Sequence, residues 1–100
     1  MSNSKRKVRS LTLRGKRYSF EKSGNLPKTD RGYCTDPNDT QRKITIHKCL
    51  VDQEELEVLI HEMLHACFWD VDEEVIGTVG DDISKALWRM GYRKDKPKNE

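Results

Sequence analysis

The segment between residues 52 and 69, DQEELEVLIHEMLHACFW, constrains the fold more than any other part of the chain. Its apolar residues recur at helical spacing and cluster on one face of a helical wheel. The residues of that face are Leu56, Leu59, Ile60, Met63, Leu64, Cys67 and Phe68. Asp52, with Glu55 three residues later, has the arrangement of a capping box, which marks a helix start. The pattern predicts an amphipathic helix from about Gln53 to Trp69 that packs on a core through this main stripe.

A second stripe on the same helix is unusual because it mixes histidines with large apolar side chains. It consists of Val58, His61, His65 and Trp69, and it lies roughly opposite the main apolar stripe. A solvent-facing side of a helix does not need Val58 or Trp69. We therefore expect a later segment to cover this side, so that the two histidines face a cleft.

Four stretches ahead of the helix have the composition of short strands. VRSLTL (8–13) and RYSFEK (17–22) contain β-branched and aromatic residues and flank a turn around Gly15. GYCT (32–35) is a third candidate, and KITIHKCL (43–50) is the strongest because its isoleucines alternate with polar residues. The loops between them are rich in turn-forming residues.

A second helix is expected from about Asp72 to Met90. Its apolar stripe consists of Ile76, Val79, Ile83, Leu87 and Met90, with Val75 and Ala86 beside it. Gly91 follows as a helix stop. Strands followed by two helices predict an α+β domain over residues 8–92, with a small antiparallel or mixed sheet and helices on one face of it. The polar stretches 1–7 and 93–100 are predicted to be flexible tails.

Composition limits the remaining possibilities. Of the 100 residues, 34% are apolar and 36% charged, which is lean for a core, and no apolar run has the length of a membrane span. The charged start MSNSKRKVRS is not followed by an apolar segment, so we expect a cytoplasmic protein, in the host cytoplasm if it is phage-encoded. Three cysteines at irregular spacing, with no C-x-x-C pair, indicate reduced thiols.

The residues that carry chemistry are in HEMLH, residues 61–65. On a helix, His61 and His65 lie one turn apart on the same side, so both imidazoles can reach one metal ion. Glu62 is one step further round the helix, where it can reach a water on that ion. Two ligands and a base on one rigid element are the reason that H-E-x-x-H indicates a zinc hydrolase centre.

A catalytic zinc normally takes a third protein ligand, which should come from a later acidic residue. The candidates are Asp70, Asp72, Glu73, Glu74, Asp81 and Asp82. Glu73 lies at the border of the second helix's apolar stripe, whereas Glu74 points away from it and Asp72 is also a possible cap. The order of preference is therefore Glu73, then Glu74, then Asp72. A site with three histidines would instead require His47, because no histidine follows His65.

HEMLH followed by a glutamate-bearing helix resembles the gluzincin branch of the zincin metallopeptidases. The nearest likeness is to its very small members, the minigluzincins and the short zincin-like proteins common in phages. The resemblance covers about residues 32–92. It implies that His61, His65 and Glu73 bind Zn²⁺, that Glu62 is the general base, and that the reaction is peptide-bond hydrolysis.

The resemblance also implies a peptide or protein substrate bound along an edge strand. GYCT (Gly32–Thr35) is the preferred edge, with KITIH as the alternative. The sequence departs from larger gluzincins in lacking an N-E-x-x-x-D motif and any downstream histidine that could stabilise an oxyanion. Tyr33, Tyr92 and Arg93 are the possible substitutes, with nothing in the sequence to choose among them.

Two other functions fit the same residues. In the first, zinc stabilises a non-catalytic binding module, with His47 or Cys34 as a fourth ligand that closes the site. In the second, the basic termini bind nucleic acid, as in SprT-like zincins that act on DNA-bound proteins. That group usually supplies a third histidine, which is absent after His65. Neither the oligomeric state nor the substrate can be read from the sequence.

Overall fold

The structure is a computed structural model that describes residues 8–26 and 30–94. It contains four strands followed by two helices, which confirms the predicted α+β class with a mixed sheet. The elements are β1 (Ser10–Leu13), β2 (Lys16–Ser23), β3 (Gly32–Cys34), β4 (Lys43–His47), α1 (Asp52–Cys67) and α2 (Glu73–Arg89). Neither helix is both long and apolar enough to cross a membrane.

The sheet has the strand order β1-β2-β4-β3. β1 pairs with β2 and β3 pairs with β4 in antiparallel fashion, whereas β2 and β4 are parallel. β3 is therefore an edge strand, as the preferred reading of GYCT requires. The alternative edge, KITIH, is wrong because β4 lies inside the sheet with a neighbour on each side.

The β1–β2 hairpin turns through Arg14 and Gly15, which both have positive φ angles of 53° and 79°. Two consecutive positive φ angles are the feature of a type I′ turn, which matches the twist of the flanking strands. The Arg14 side chain donates a hydrogen bond from Nη1 to the carbonyl oxygen of Cys67, 2.7 Å away. The turn thereby holds the C-terminal end of α1, where a cation also interacts favourably with the helix dipole.

The core lies between the sheet and α1. One cluster joins Tyr18, Cys34 and Ile44 of the sheet to Ala66 of α1. A second cluster joins Ile46 and Leu50 to Val58, and the half-buried Phe20 packs against both clusters. These contacts run along α1 from its first turns to its end, so they fix the helix across the sheet.

The face of α1 that packs on the sheet differs from the predicted main stripe. Its fully buried residues are Glu55, Val58, Glu62 and Ala66. The predicted capping box is also wrong: the N-cap is Val51, which makes no side-chain cap hydrogen bond. Glu55 instead contacts the ammonium groups of Lys22 and Lys94. A buried carboxylate with two lysine partners therefore stands where the sequence suggested a local helix-start motif.

α2 packs on α1 and on no strand of the described sheet. Its buried residues are Ile76, Gly80 and Ser84, whereas Val79, Ile83 and Met90 of the predicted stripe are exposed. A Cβ added at Gly80 would lie 3.6 Å from the Cα of His61, so Gly80 permits a close approach of the two helices. A Cβ added at Gly77 would meet nothing within 4 Å.

The first two residues of the predicted C-terminal tail, Arg93 and Lys94, make side-chain contacts. The Arg93 guanidinium lies 3.4 Å from the centroid of the Trp88 ring, and Lys94 contacts Glu55. The rest of that tail and the N-terminal one, 95–100 and 1–7, lie outside the described residues. Twelve basic residues towards the two ends of the chain support the nucleic-acid interpretation, and five of them lie in those two segments: Lys5, Arg6, Lys7, Lys96 and Lys98.

Candidate metal centre

His61, His65 and Glu73 meet between the two helices. The Nε2 atom of His61 lies 3.0 Å from Oε2 of Glu73, and the Nε2 atom of His65 lies 2.8 Å from Oε1. The two Nε2 atoms are 3.2 Å apart. Within residues 8–26 and 30–94, this is the one group of three or more histidine, cysteine or acidic side chains that could hold a metal ion.

The donor groups are close enough to share one ion. The Nε2 atoms of His61 and His65 are 3.2 Å apart, near the ~3.3 Å that two ligand bonds of about 2.0–2.1 Å give at the tetrahedral angle. Each imidazole lies against a different oxygen of the Glu73 carboxylate, at 3.0 and 2.8 Å, and one donor atom from each of the three residues lies within 4.8 Å of the others. Two imidazole nitrogens and a carboxylate oxygen are also the ligand set of His₂Glu catalytic zinc sites. The residues present therefore fit a zinc ion.

Helix packing brings the third side chain to the histidines. Glu73 is the first residue of α2, and the contact of Gly80 with the His61 backbone brings that helix close to the histidine side of α1. Of the two runner-up acids, Asp72 is the N-cap of α2, and Glu74 is exposed outside the group. Of the three acids preferred from the sequence, Glu73 is the one that the packed helices bring beside both histidines.

His47 lies apart from this group. Its Nδ1 atom accepts a hydrogen bond from the backbone nitrogen of Cys49 at 3.2 Å, at the end of β4. Cys34 is also outside the group, and its Sγ donates to the carbonyl oxygen of Thr35 at 3.4 Å. Burial, aided by the charge of Glu62, raises the pKa of the Cys34 thiol to about 12. Among the described residues, neither His47 nor Cys34 is placed with the three donors as a fourth ligand.

Glu62 is a buried acid beside the candidate metal site, with 8% of its surface exposed. The cleft at this site consists of two adjoining recesses. Glu62 lines the first together with His61 and Glu73, and the second together with both histidines and Glu73. Burial, and to a smaller extent the charges of Glu73 and Asp30, raise the pKa of Glu62 to about 7. A carboxyl group with such a pKa, beside a candidate metal site, has the properties of a general base.

Gly32 of β3 determines how closely the strand approaches Glu62. A Cβ added at Gly32 would lie 2.8 Å from Cγ1 of Val58 and 2.9 Å from Oε2 of Glu62. Any side chain at this position would have to displace one of the two. The strand pattern of GYCT does not by itself predict this contact, although a glycine within a strand often marks a close approach of another group.

The three residues considered for oxyanion stabilisation are not equivalent. Tyr33 lines the cleft together with the histidines and Glu73. Arg93 stacks on Trp88 and donates a hydrogen bond to the Trp88 carbonyl oxygen, and the neighbouring Tyr92 is exposed. Neither belongs to the linings of the cleft. Of the three, only Tyr33 is placed to contact a molecule bound there.

Comparisons with protein-family models, curated proteins and solved structures give no match for this chain.

Proposed function

We propose that this protein is a zinc-dependent peptidase. One observation carries the proposal: the Glu73 carboxylate, from a different helix, lies within 3.0 Å of both histidine Nε2 atoms, with buried Glu62 in the same cleft. A pair of histidines on one helix has many uses. A third ligand from a separate element, beside an acid of raised pKa, is the arrangement that metal-assisted hydrolysis needs.

The residues divide the work between binding and proton transfer. A zinc ion held by His61, His65 and Glu73 would polarise a carbonyl group and lower the pKa of a water molecule towards ~7. Glu62 accepts the proton of the attacking water at its carboxylate and then donates it to the leaving nitrogen. Burial of Glu62 supports this role because it raises the pKa of the carboxyl group to about 7. A base is most efficient when its pKa is close to the working pH.

The edge of β3 supports a peptide as the substrate, because no described strand pairs with the side of β3 that faces away from β4. The backbone of Arg31 and Thr35 bonds to β4: the His47 N–H donates to the Arg31 carbonyl at 2.8 Å and the Thr35 N–H donates to Lys43 at 3.0 Å. Because backbone groups alternate in direction along a strand, those of Gly32 and Cys34 point to the open side. An extended peptide could pair with them beside the metal centre.

The rival function, a zinc ion that only stabilises the domain, has less support. A closed structural site takes four protein ligands. Its two proposed fourth ligands, His47 and Cys34, are outside the group among the described residues. With three protein donors the site leaves one position for water, as catalytic sites do.

The test uses protein purified without a histidine tag. We expect about one zinc ion per chain when the metal content is measured by elemental mass spectrometry. We also expect the protein to hydrolyse an unfolded protein substrate, and this activity should disappear when a chelator removes the metal and return when zinc is added. Glu73→Gln should lose most of the zinc, because it removes a charged ligand. Glu74→Gln, the same change at the exposed neighbour, should keep both zinc and hydrolysis. A parent protein that binds no zinc, or binds it without any hydrolysis, would overturn the proposal.

A further inference from the structure

The surface on either side of the metal centre differs in charge along the direction of β3. The acidic end is the part of the cleft lined by Asp30 and Glu57 together with His61, Glu62 and Glu73. The basic end is a separate recess on the opposite side of the metal centre, lined by Arg14 and Lys16. Trp69 lines both this recess and the metal cleft, so the two are adjacent.

The acidic end has little positive charge to offset it. Arg31 is the basic side chain in its lining, and that guanidinium is already paired with Glu54. Among the described residues, neither Asp30 nor Glu57 forms an ion pair.

The basic end combines two cations with aromatic side chains. Arg14 lies 5.7 Å from the centroid of the Phe68 ring, and Phe68 and Trp69 are both partly exposed in the recess. Lys16 has no ion-pair partner in the described part of the chain. Asp70 is the one acid of this lining, so the positive charges outnumber it. A carboxylate on an aliphatic stem matches these surfaces.

β3 connects the two ends in sequence order. Asp30 precedes the strand, Gly32 to Cys34 pass the metal centre, and Pro37 and Asn38 line the basic recess. At ~3.3 Å per residue, residues 30–38 span at most about 26 Å, so a peptide of about eight residues would cover both ends. Antiparallel pairing is slightly more stable than parallel pairing. A peptide on this edge would then place its N-terminal side at the basic recess.

From this arrangement we infer that the site selects peptide segments that are acidic before the cleaved bond and basic after it. The inference rests on the proposed function, because it concerns the substrate of the same cleft. It names a substrate class by charge order: glutamate or aspartate towards Arg14 and Lys16, and lysine or arginine towards Asp30 and Glu57.

The experiment compares two fluorogenic peptides with blocked ends and the same composition. One is Glu-Glu-Ala-Ala-Leu-Ala-Lys-Lys, and in the other the charged pairs are exchanged. We expect the zinc-loaded parent to cleave the first with a kcat/KM about fivefold higher, which is the effect of exposed charge pairs. The difference should shrink in concentrated salt, because these charges are screened.

Two adjacent residues give a matched pair of variants. Lys16→Glu should abolish or reverse the preference, because it replaces a cation of the recess by an anion. Arg17→Glu makes the same change on the next residue of β2, whose side chain points to the other face of the sheet and lines neither end. It should leave the preference intact.

A second measurement does not depend on turnover. Glu62→Gln loaded with zinc should bind the first peptide more tightly than the second, by a similar factor, as followed by fluorescence anisotropy. Cleavage of both peptides at equal rates, or faster cleavage of the second, would overturn the charge order and leave the proposed function standing. A binding preference without hydrolysis by the parent would support the charge order and overturn the proposed function. Neither hydrolysis nor a binding preference would remove both.

Discussion

Glu55 and Glu62 lie on the same side of α1, seven residues apart, and each has 8% of its surface exposed. Their surroundings differ. Glu55 contacts the ammonium groups of Lys22 and Lys94, whereas Glu62 faces Gly32 and the charges of Glu73 and Asp30. Burial alone would raise the pKa of Glu55, but its two lysine partners lower it overall. The pKa of Glu62 is raised to about 7.

The comparison shows that burial does not decide what an acid does in this fold. Equal burial on one helix face gives a carboxylate that stabilises the domain at one position and a candidate proton acceptor at the other. Partners make the difference: two lysines compensate the charge of Glu55, whereas no lysine partner is described for Glu62, so burial, and to a smaller extent the nearby acids, keep its pKa raised. Changing each acid to its amide therefore tests two separate properties, activity and stability.

The largest expected effect is on activity at Glu62. Glu62→Gln keeps the shape of the side chain but removes the proton acceptor, so kcat should fall by about 10²–10⁴-fold. Zinc content should be unchanged, because the three ligands remain. Steady-state kinetics and metal analysis on the same preparation check both statements. A variant that hydrolyses peptide as fast as the parent would rule out Glu62 as the base.

The next effect is on stability at Glu55. Glu55→Gln leaves the ammonium groups of Lys22 and Lys94 without their anion, and we expect a loss of about 2–3 kcal/mol in the free energy of unfolding. Urea denaturation of the apo proteins at neutral pH measures it. The activity of the folded fraction should stay close to that of the parent, because Glu55 lies outside the cleft. Loss of activity without loss of stability would mean that the two acids are not separate in role.

The stability that Glu55→Gln loses should depend on pH in a definite direction. The pKa of Glu55 is lower in the folded protein than its ordinary value of 4.5, so its ionised form favours folding. The contribution is complete above pH 4.5 and disappears as the pH falls through the lowered pKa. The stability difference between parent and Glu55→Gln should therefore be constant near neutrality and shrink below about pH 4.5. A difference that grows in acid would contradict the ion-pair explanation.

The smallest effect is expected at Gly32, which contacts only one of the two acids. The added methyl group of Gly32→Ala must displace Val58 or Glu62, at a cost of about 1–2 kcal/mol in stability. A shift of the base should lower kcat about tenfold with little change in zinc content. Gly77→Ala is the control, because a Cβ there meets nothing within 4 Å. Equal kinetics for the two variants would show that Gly32 does not position Glu62.

Local patterns in the sequence predicted the elements and the side chains of the candidate site. The β1–β2 turn around Gly15, the strand containing Ile44 and Ile46, and both helices follow from turn chemistry and periodicity. The grouping of His61 and His65 followed from helix geometry, and the preference for Glu73 from its place beside the packed face of α2. These features depend on residues within one or two turns of each other, which sequence spacing describes directly.

The missed features all depend on residues distant in sequence. Glu55 looked like a helix cap because its partners, Lys22 and Lys94, are 33 and 39 residues away. The apolar face of α2 was misplaced by part of a turn. Within residues 8–26 and 30–94 this helix packs on α1 and on no other helix or strand, and Val79 and Ile83 are exposed. Hydrophobic periodicity shows that a helix has an apolar side, but it does not show which neighbour will cover that side.

The docking of α2 on α1 has a thermodynamic consequence. Glu73 is carried by α2 and both histidines by α1, so zinc can be held by all three only while the two helices are packed together. Metal affinity and helix docking are therefore linked quantities: whatever free energy zinc gains from the third ligand is also free energy that holds α2 in place. In a domain with so lean a core, a zinc ion bound as proposed would hold the two helices together in addition to its proposed role in hydrolysis.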